Sequence, residues 1–299
     1  MRDIYFSIVI PTFNRAGFIE ETIKSVINQS YGNWECIIVD DGSFDDTSDI
    51  LKKIIEDEPR VKYIYQKNSE RCIARNNGIE NAKGKYICFL DSDDTFLENH
   101  LEVLFKNITD KQQPKALFFT NALMKDNLGK ITERLCPEIK DKNVQDYILN
   151  YTFNPARVAI HKDILQFEKF DINIPGLEDL ELWLRISLKF DVFQINERTI
   201  IYNLHDDSYT IGDANRYEKE LKYFKYIFKK IEFRKSLKRK SKNRLLSMCY
   251  FHLSNSAFDK KLKIKTLSYS LKSFILFPFG YNGKTNKIIL NNIVKILFK

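Results

Sequence analysis

Four apolar runs rich in β-formers, separated by amphipathic stretches, constrain this chain more than any other feature. Phe6-Ser7-Ile8-Val9-Ile10, Trp34 to Val39, Val61 to Tyr65 and Tyr86 to Leu90 recur at regular intervals. Between them, Phe18 to Gln29 gathers Phe18, Ile19, Ile23, Val26 and Ile27 on one helical face. The stretch after Ser43 does the same with Ile50, Leu51, Ile54 and Ile55, and Arg71 to Ala82 reads as a third helix. Strands alternating with helices predict a Rossmann-like α/β architecture, a mostly parallel sheet with right-handed crossovers.

In open sheets of this kind, ligands bind in the crevice at the carboxyl ends of the strands. Three such ends are polar here: Pro11-Thr12, Asp40-Asp41 and Asp91-Ser92-Asp93-Asp94. The last follows Tyr86 to Leu90, which reads as a strand buried on both faces. Carboxylates crowded this closely repel unless a cation sits between them, and a divalent ion carrying phosphates relieves that repulsion. The spacing Asp91-x-Asp93 therefore points to a metal-nucleotide site, although the tetrapeptide is also a good turn and helix cap. The first strand-to-helix turn, Pro11 to Gly17, has no G-x-G-x-x-G, and no G-x-x-x-x-G-K-[ST] occurs. Any phosphate is held by metal and side chains, not by a glycine loop.

Beyond Ile108 the pattern loosens. Ala116 to Phe119 reads as a strand, Asp141 to Tyr151 as a short helix, and Pro175-Gly176-Leu177 as a turn opening a helix with Glu178 and Asp179 in its first turn. Val192 to Ile195 and Thr199 to Tyr202 suggest a closing hairpin, followed by His205-Asp206-Asp207.

Charge divides the chain. Residues 1–215 carry 26 Lys+Arg against 36 Asp+Glu, whereas residues 216–299 carry 22 against 4. Halves of such different sign have different jobs. The basic half interleaves Tyr217, Tyr223, Phe224, Tyr226, Phe228 and Phe233 among lysines and arginines. Nothing in it resembles a nucleic-acid module, and no nucleic-acid partner is expected. Peripheral docking on an anionic membrane fits better, helped by the apolar segments Phe274 to Tyr281 and Ile288 to Phe298; packing on the rest of the chain is the alternative. The five cysteines are scattered without C-x-x-C pairing, which suits small core residues of a reducing compartment. Met1 to Ser7 leads straight into a strand without the apolar stretch of a signal peptide, and no apolar run has a spanning length. A cytoplasmic location is expected, at most peripheral on the inner face of the membrane.

Taken in order, Ser7-Ile8-Val9-Ile10-Pro11-Thr12-Phe13-Asn14, Val39-Asp40-Asp41-Gly42-Ser43, Ala74-Arg75-Asn76-Asn77-Gly78, Asp91-Ser92-Asp93-Asp94 and Glu178-Asp179 resemble the motifs of the family 2 glycosyltransferases of the GT-A fold. The resemblance covers roughly residues 1–210 and implies a catalytic domain over 1–215, with a nucleotide-sugar half to about residue 95 and an acceptor half to 215, before a basic helical region over 216–299. It implies an inverting, metal-dependent transferase that moves a sugar from a UDP-sugar to a hydroxyl of a glycan or lipid-linked acceptor, in building a bacterial surface polysaccharide. Thr12 and Asp41 would hold uracil with Pro11 lining the pocket, Asn14 and Ser92 lying in the same nucleotide-binding motifs; Arg75 and Asn76 would approach the nucleotide, and Asp91 the ribose. Asp93 would bind Mn²⁺ or Mg²⁺, with His205 joining it or the diphosphate. Asp179 would be the general base and Glu178 its helper. Trp183, one turn on, could stack on an acceptor sugar or simply pack in the core.

One stretch departs from the family pattern: Ser69-Glu70-Arg71-Cys72-Ile73 carries bulk where relatives carry small residues. Arg71 could neutralise a diphosphate, or form a surface salt bridge. Two other functions remain compatible with the motifs. A metal-dependent nucleotidyltransferase would release pyrophosphate and have no need of Asp179, and a non-catalytic nucleotide- or glycan-binding relative would have little reason to keep Asp93 together with Asp179.

Overall fold

The computed structural model describes residues 4–134, 136–139, 143–205 and 215–278. The chain divides into two compact units, Met1–Ser208 and Tyr209–Lys299.

The first unit is built on one sheet of β1 (Phe6–Thr12), β2 (Trp34–Asp40), β3 (Val61–Tyr65), β4 (Tyr86–Phe89), β5 (Thr95–Phe96), β6 (Ala116–Lys125), β7 (Ile131–Arg134), β8 (Val158–His161) and β9 (Asp191–Asn203). Its order is β3-β2-β1-β4-β8-β6-β9-β5, with β7 paired to β6 outside that path. β1 to β4 are all parallel, as their spacing predicts, and β1 and β2 are buried at every position. β8 joins the two halves, running antiparallel to both β4 and β6. Helices α1 (Ile19–Ile27), α2 (Thr47–Asp57) and α3 (Arg71–Asn81) are the crossovers between these parallel strands; α4 (His100–Asp110), α5 (Val144–Asn150), the single turn α6 (Lys162–Leu165) and α7 (Glu178–Ser187) follow. α3 lies hard on the sheet: a Cβ added at Gly78 would come within 2.3 Å of Val9 Cγ1. Only glycine lets a helix backbone approach a strand so closely, and the approach holds the N-terminal turn of α3 at the polar strand ends.

The expected hairpin over Val192 to Tyr202 is not formed. β9 is one continuous strand of 13 residues, parallel to β6, with register shifts around Asn121. The polar break Asn196-Glu197-Arg198 reads as a turn because it interrupts an apolar pattern, yet the sheet absorbs it as a bulge, with Asn121 Nδ2 donating to the Asn196 carbonyl at 3.1 Å.

The second unit contains α8 (Arg216–Lys229), α9 (Ile231–Ser236), α10 (Arg239–Asp259) and α11 (Lys263–Leu276). α10 packs against both α8 and α11, and the rings of Tyr217 and His252 stack at 4.1 Å between α8 and α10. The segment Ile288 to Phe298, the last residues of Phe274 to Tyr281, and Asp206 and Asp207 lie outside the described residues.

Candidate active site

The first two strand ends are tied together. β1 and β2 run in register until Thr12 faces Asp40, and the Asp41 amide donates to the Thr12 carbonyl at 2.8 Å. Asn14, at φ +50°, donates its backbone N–H to Ser43 Oγ and accepts at Oδ1 from the Phe44 amide. Asparagine is among the few residues that tolerate this left-handed conformation. Pro11 is buried behind Thr12. Thr12 Oγ1 is itself buried, with no hydrogen-bond partner among the described residues. A buried hydroxyl left unpaired is costly, so this position suits a polar atom of a ligand.

Asp41, expected to face a uracil, is engaged within the chain. Its carboxylate accepts from Gln66 Nε2 at 2.7 Å and from the amides of Ser69 and Glu70 at 2.8 and 2.9 Å. The side chain thereby shapes the loop over residues 66–70, which leads into the bulky stretch Ser69 to Ile73 where the sequence departs from the family pattern. Asn76 is likewise committed elsewhere. Its amide oxygen accepts from the Phe170 N–H and its nitrogen donates to the Phe170 carbonyl, both at 3.0 Å, a paired clamp that holds a loop segment rather than a nucleotide.

At the third end the four residues after β4 have separate surroundings. Asp94 is buried, accepts from the Asn203 amide at 3.1 Å, and is pushed well above the usual carboxylate range by that burial and then by the charges of Asp91 and Asp93. Ser92 is buried beside it. Asp93 is partly exposed and meets an imidazole and a guanidinium: His205 Nε2 lies 3.1 Å from its Oδ2, and Arg15 Nε lies 3.7 Å away. The His205 ring is stacked on Phe18 with centroids 4.6 Å apart. These groups line a cavity of about 210 Å³ whose wall includes Phe18, Asp93, Asn203, His205, Lys125 and Asp126.

No group of three or more His, Cys, Asp or Glu side chains gathers as a metal cluster among the described residues. Mg²⁺ and similar hard ions are nevertheless commonly held by one or two protein ligands, with phosphate oxygens and water completing the shell. Asp93 and His205 converge as one carboxylate and one imidazole, a donor pair that fits an ion arriving with a diphosphate.

Asp91 faces the other way, toward α3. Arg75 Nη2 donates to Asp91 Oδ1 at 2.7 Å and Arg75 Nη1 donates to Glu178 Oε1 at 2.8 Å, so one guanidinium joins the acids after β4 to those that open α7. Arg75 is almost wholly buried, and its guanidinium also lies over the Phe170 ring at 5.3 Å. It is therefore a link between carboxylates rather than a group open to a nucleotide. Arg71 Nε stands 3.4 Å from the same Glu178 oxygen, so its partner is a buried acid and not a surface one. The Gly176 amide donates to Glu178 Oε2. Burial pushes the Glu178 carboxyl up, but Arg71 and Arg75 outweigh it and hold the group below its ordinary value.

Its neighbour behaves oppositely. Asp179 is half-buried, and burial, reinforced by the Glu178 charge, pushes its pKa up to about 7. Asp179 Oδ1 accepts from the Leu180 amide at 2.6 Å. Carboxylates with pKa values near neutrality mark proton-transfer sites.

Trp183 is a correction. It is fully buried, its indole N–H donates to the Phe153 carbonyl at 2.9 Å, and its ring packs against Phe153 and Phe170. One turn along a helix leads from the half-buried Asp179 to Trp183, but the Trp183 ring itself is in the core and offers no surface to an acceptor. Conversely, Arg15, Phe18 and Asn203 do more at the site than their sequence positions suggest. Arg15 follows Asn14 in a motif but is given no role by the sequence; Asn203 carried no local signal, since its role depends on β9 ending beside the loop after β4, where its Nδ2 donates to the Asp93 carbonyl at 2.9 Å.

Residues 7–150 match the family described as glycosyl transferase family 2. An uncharacterized glycosyltransferase of Rickettsia conorii is 34% identical over 220 residues, 73% of this chain and 36% of that protein. The chain thus spans about a third of the length of the Rickettsia relatives it matches. A GalNAc(5)-diNAcBac-PP-undecaprenol beta-1,3-glucosyltransferase of Campylobacter jejuni is 29% identical, over 73% of this chain and 71% of that one. Among solved structures, residues 1–349 of TarS from S. aureus, in complex with UDP-GlcNAc, superpose with a TM-score of 0.67 at 17% identity, covering 98% of this chain and 90% of the other. At that identity the superposition speaks for the GT-A fold, and the sequence match speaks for lineage. Residues 7–150 of this chain are therefore a glycosyl transferase family 2 domain.

Proposed function

We propose that the chain transfers a sugar from a UDP-sugar to a hydroxyl of a glycan or lipid-linked acceptor, with inversion, and that it serves in the assembly of a bacterial surface polysaccharide. The observation that carries this reading is the Arg75 bridge, which ties Asp91, beside Asp93, to Glu178, beside an Asp179 whose pKa lies near 7. Such a transfer needs stabilisation of a departing diphosphate and removal of a proton from the attacking hydroxyl, and the two groups of acids suit those two tasks.

On the donor side, the unpaired Thr12 hydroxyl and the loop shaped by Asp41 suit a pyrimidine base, and Asp91, held by Arg75, suits a ribose hydroxyl. Asp93 and His205 would hold Mn²⁺ or Mg²⁺, which when bound supplies Lewis-acid neutralisation of the diphosphate. Arg15 and Arg71 add positive charge at either side of the same crevice. On the acceptor side, Asp179 Oδ1 is occupied by the Leu180 amide, which leaves Oδ2 to take the acceptor proton. Glu178, ionised and fixed by two arginines and the Gly176 amide, keeps a negative charge beside Asp179 and so preserves its basicity. A single displacement with the base opposite the leaving group inverts the anomeric centre.

The deciding experiment is a screen of UDP-sugars for UDP release with Mn²⁺, Mg²⁺ or chelator, with and without acceptor glycans. The proposal expects metal-dependent UDP release that rises with an acceptor. Release of pyrophosphate from a nucleoside triphosphate and a sugar phosphate would instead identify a nucleotidyltransferase. Nucleotide binding without turnover under every condition would leave a binding protein.

A further inference from the structure

Helix α11 is assembled inside out. The residues it buries are Thr266, Ser270 and Ser273, while Ile264, Leu271 and Ile275 are 85%, 58% and 66% exposed, with Phe274 beside them. Its inward face meets α10 through hydroxyls. Ser247 Oγ donates to the Ser273 carbonyl at 2.9 Å, Ser273 Oγ donates to the Ser247 carbonyl at 2.9 Å, and Ser254 Oγ lies 2.7 Å from Ser270 Oγ. The spacing is helical on both sides, seven residues from Ser247 to Ser254 and four then three from Thr266 through Ser270 to Ser273. The outward positions 264, 271, 274 and 275 make an equally regular apolar stripe.

A helix that meets only water on its outer side turns its large apolar residues inward and its small polar ones outward. Small hydroxyl residues at the helix contact, with large apolar residues facing away, is the arrangement that a lipid environment favours. The charge around the stripe names the kind of lipid. Residues 260–278 contain Lys260, Lys261, Lys263, Lys265 and Lys272 and no carboxylate. A second copy docking on the same stripe by twofold symmetry would set lysines against lysines. At 14 residues α11 is about 21 Å long, short of the roughly 30 Å hydrocarbon layer. No helix among the described residues is long and apolar enough to cross a membrane.

We propose that the outward face of α11 lies in the interface of an anionic membrane, with Ile264, Leu271, Phe274 and Ile275 entering the acyl boundary and the surrounding lysines engaging the headgroups. This sharpens the membrane association expected of residues 216–299 to one face of one helix. The proposal does not rest on the transferase reading, since vesicle binding is measured without donor or acceptor.

The test is co-sedimentation of the full chain with vesicles of phosphatidylcholine alone or with added phosphatidylglycerol, at low and high salt. Binding is expected only to the anionic vesicles, weakening as salt rises. The triple variant I264S/L271S/I275S removes exposed apolar groups only, so the fold is expected to persist, as checked by circular dichroism and gel-filtration mass. It should weaken vesicle binding at least about a hundredfold. K265E/K272E, which keeps the apolar stripe, should weaken anionic binding by at least about fivefold per lysine. If the wild-type chain ignores anionic vesicles, or if the triple variant binds them as the wild type does, the proposal fails. A wild-type dimer that becomes monomeric in the triple variant, with no vesicle binding by either, would assign the stripe to a second copy instead.

Discussion

Of the chain's groups of neighbouring acids, the one after β4 and the one opening α7 resolve the same repulsion in different ways. After β4, Asp93 meets His205 and Arg15 at a partly open cavity, while Asp94 is buried and driven toward its neutral form. In α7 the member paired with arginines is Glu178, held below its ordinary value, while its neighbour Asp179, bonded only to the Leu180 amide, is pushed up to about 7 by burial and the Glu178 charge. In both pairs of neighbours, adjacency alone would give similar groups. Burial and the placement of basic groups set the members of each pair apart: one has basic partners, and the other is pushed toward its neutral form. Arg75 touches both groups, so the two solutions depend on one another.

The largest break in this comparison comes from removing the proposed proton acceptor. D179N should lower kcat by about 10² to 10⁴-fold, as expected for loss of a general base, with UDP affinity by calorimetry nearly unchanged. An active D179N enzyme would remove Asp179 from that role. The same substitution should raise Tm. A carboxyl whose folded pKa exceeds its unfolded value loses stability as pH rises from about 4 through 7, because ionisation then opposes the fold. The gap in Tm between D179N and wild type should therefore widen over that window and level off above it.

On the other side, D93N should abolish the dependence of UDP binding on Mn²⁺ and lower turnover by about 10² to 10³-fold. Equal UDP affinity with and without Mn²⁺ in the wild type would count against the Asp93–His205 pair as an ion site.

A subtler change severs the link between the groups. R75K keeps a positive charge but cannot reach Asp91 and Glu178 together as a guanidinium does. The wild-type kcat/KM should rise with pH and level above about 7, as Asp179 ionises. In R75K that rise should move to higher pH, with a loss of about tenfold at the plateau. An unshifted profile would make Arg75 a packing residue only. The smallest effect belongs to Trp183: W183F loses the hydrogen bond to the Phe153 carbonyl, costing about 1 to 3 kcal/mol of stability by denaturant titration, with acceptor KM unchanged. A raised acceptor KM at unchanged kcat would restore Trp183 to the acceptor site.

Much of the molecule was legible in the chain because the relevant signals are local. The alternation of Phe6 to Ile10, Trp34 to Val39, Val61 to Tyr65 and Tyr86 to Leu90 with amphipathic helices follows from side-chain periodicity, and the polar strand ends mark the crevice directly. Asp93 and His205 were also named from the sequence, and the fold brings them together across 112 positions. The misreadings came where local pattern was an incomplete guide. Asn196 to Arg198 reads as a turn, but sheet pairing keeps it in β9. Asn76 and Trp183 carry side chains suited to ligands, but their hydrogen-bonding groups are taken by the backbone of Phe170 and Phe153.

By itself, then, the sequence determined the strand-and-helix alternation, the acids at the strand ends, the family, and the split between an acidic and a basic portion. Each of these depends on residues close together in the chain or on motifs read in order. Tertiary structure alone decided that Arg75 would bind Asp91 and Glu178 at once, that Asp179 rather than Glu178 would have the raised pKa, and that α11 would turn its hydroxyls inward. Those outcomes depend on which groups share a buried volume and which remain outside it, and that is settled only when distant segments pack.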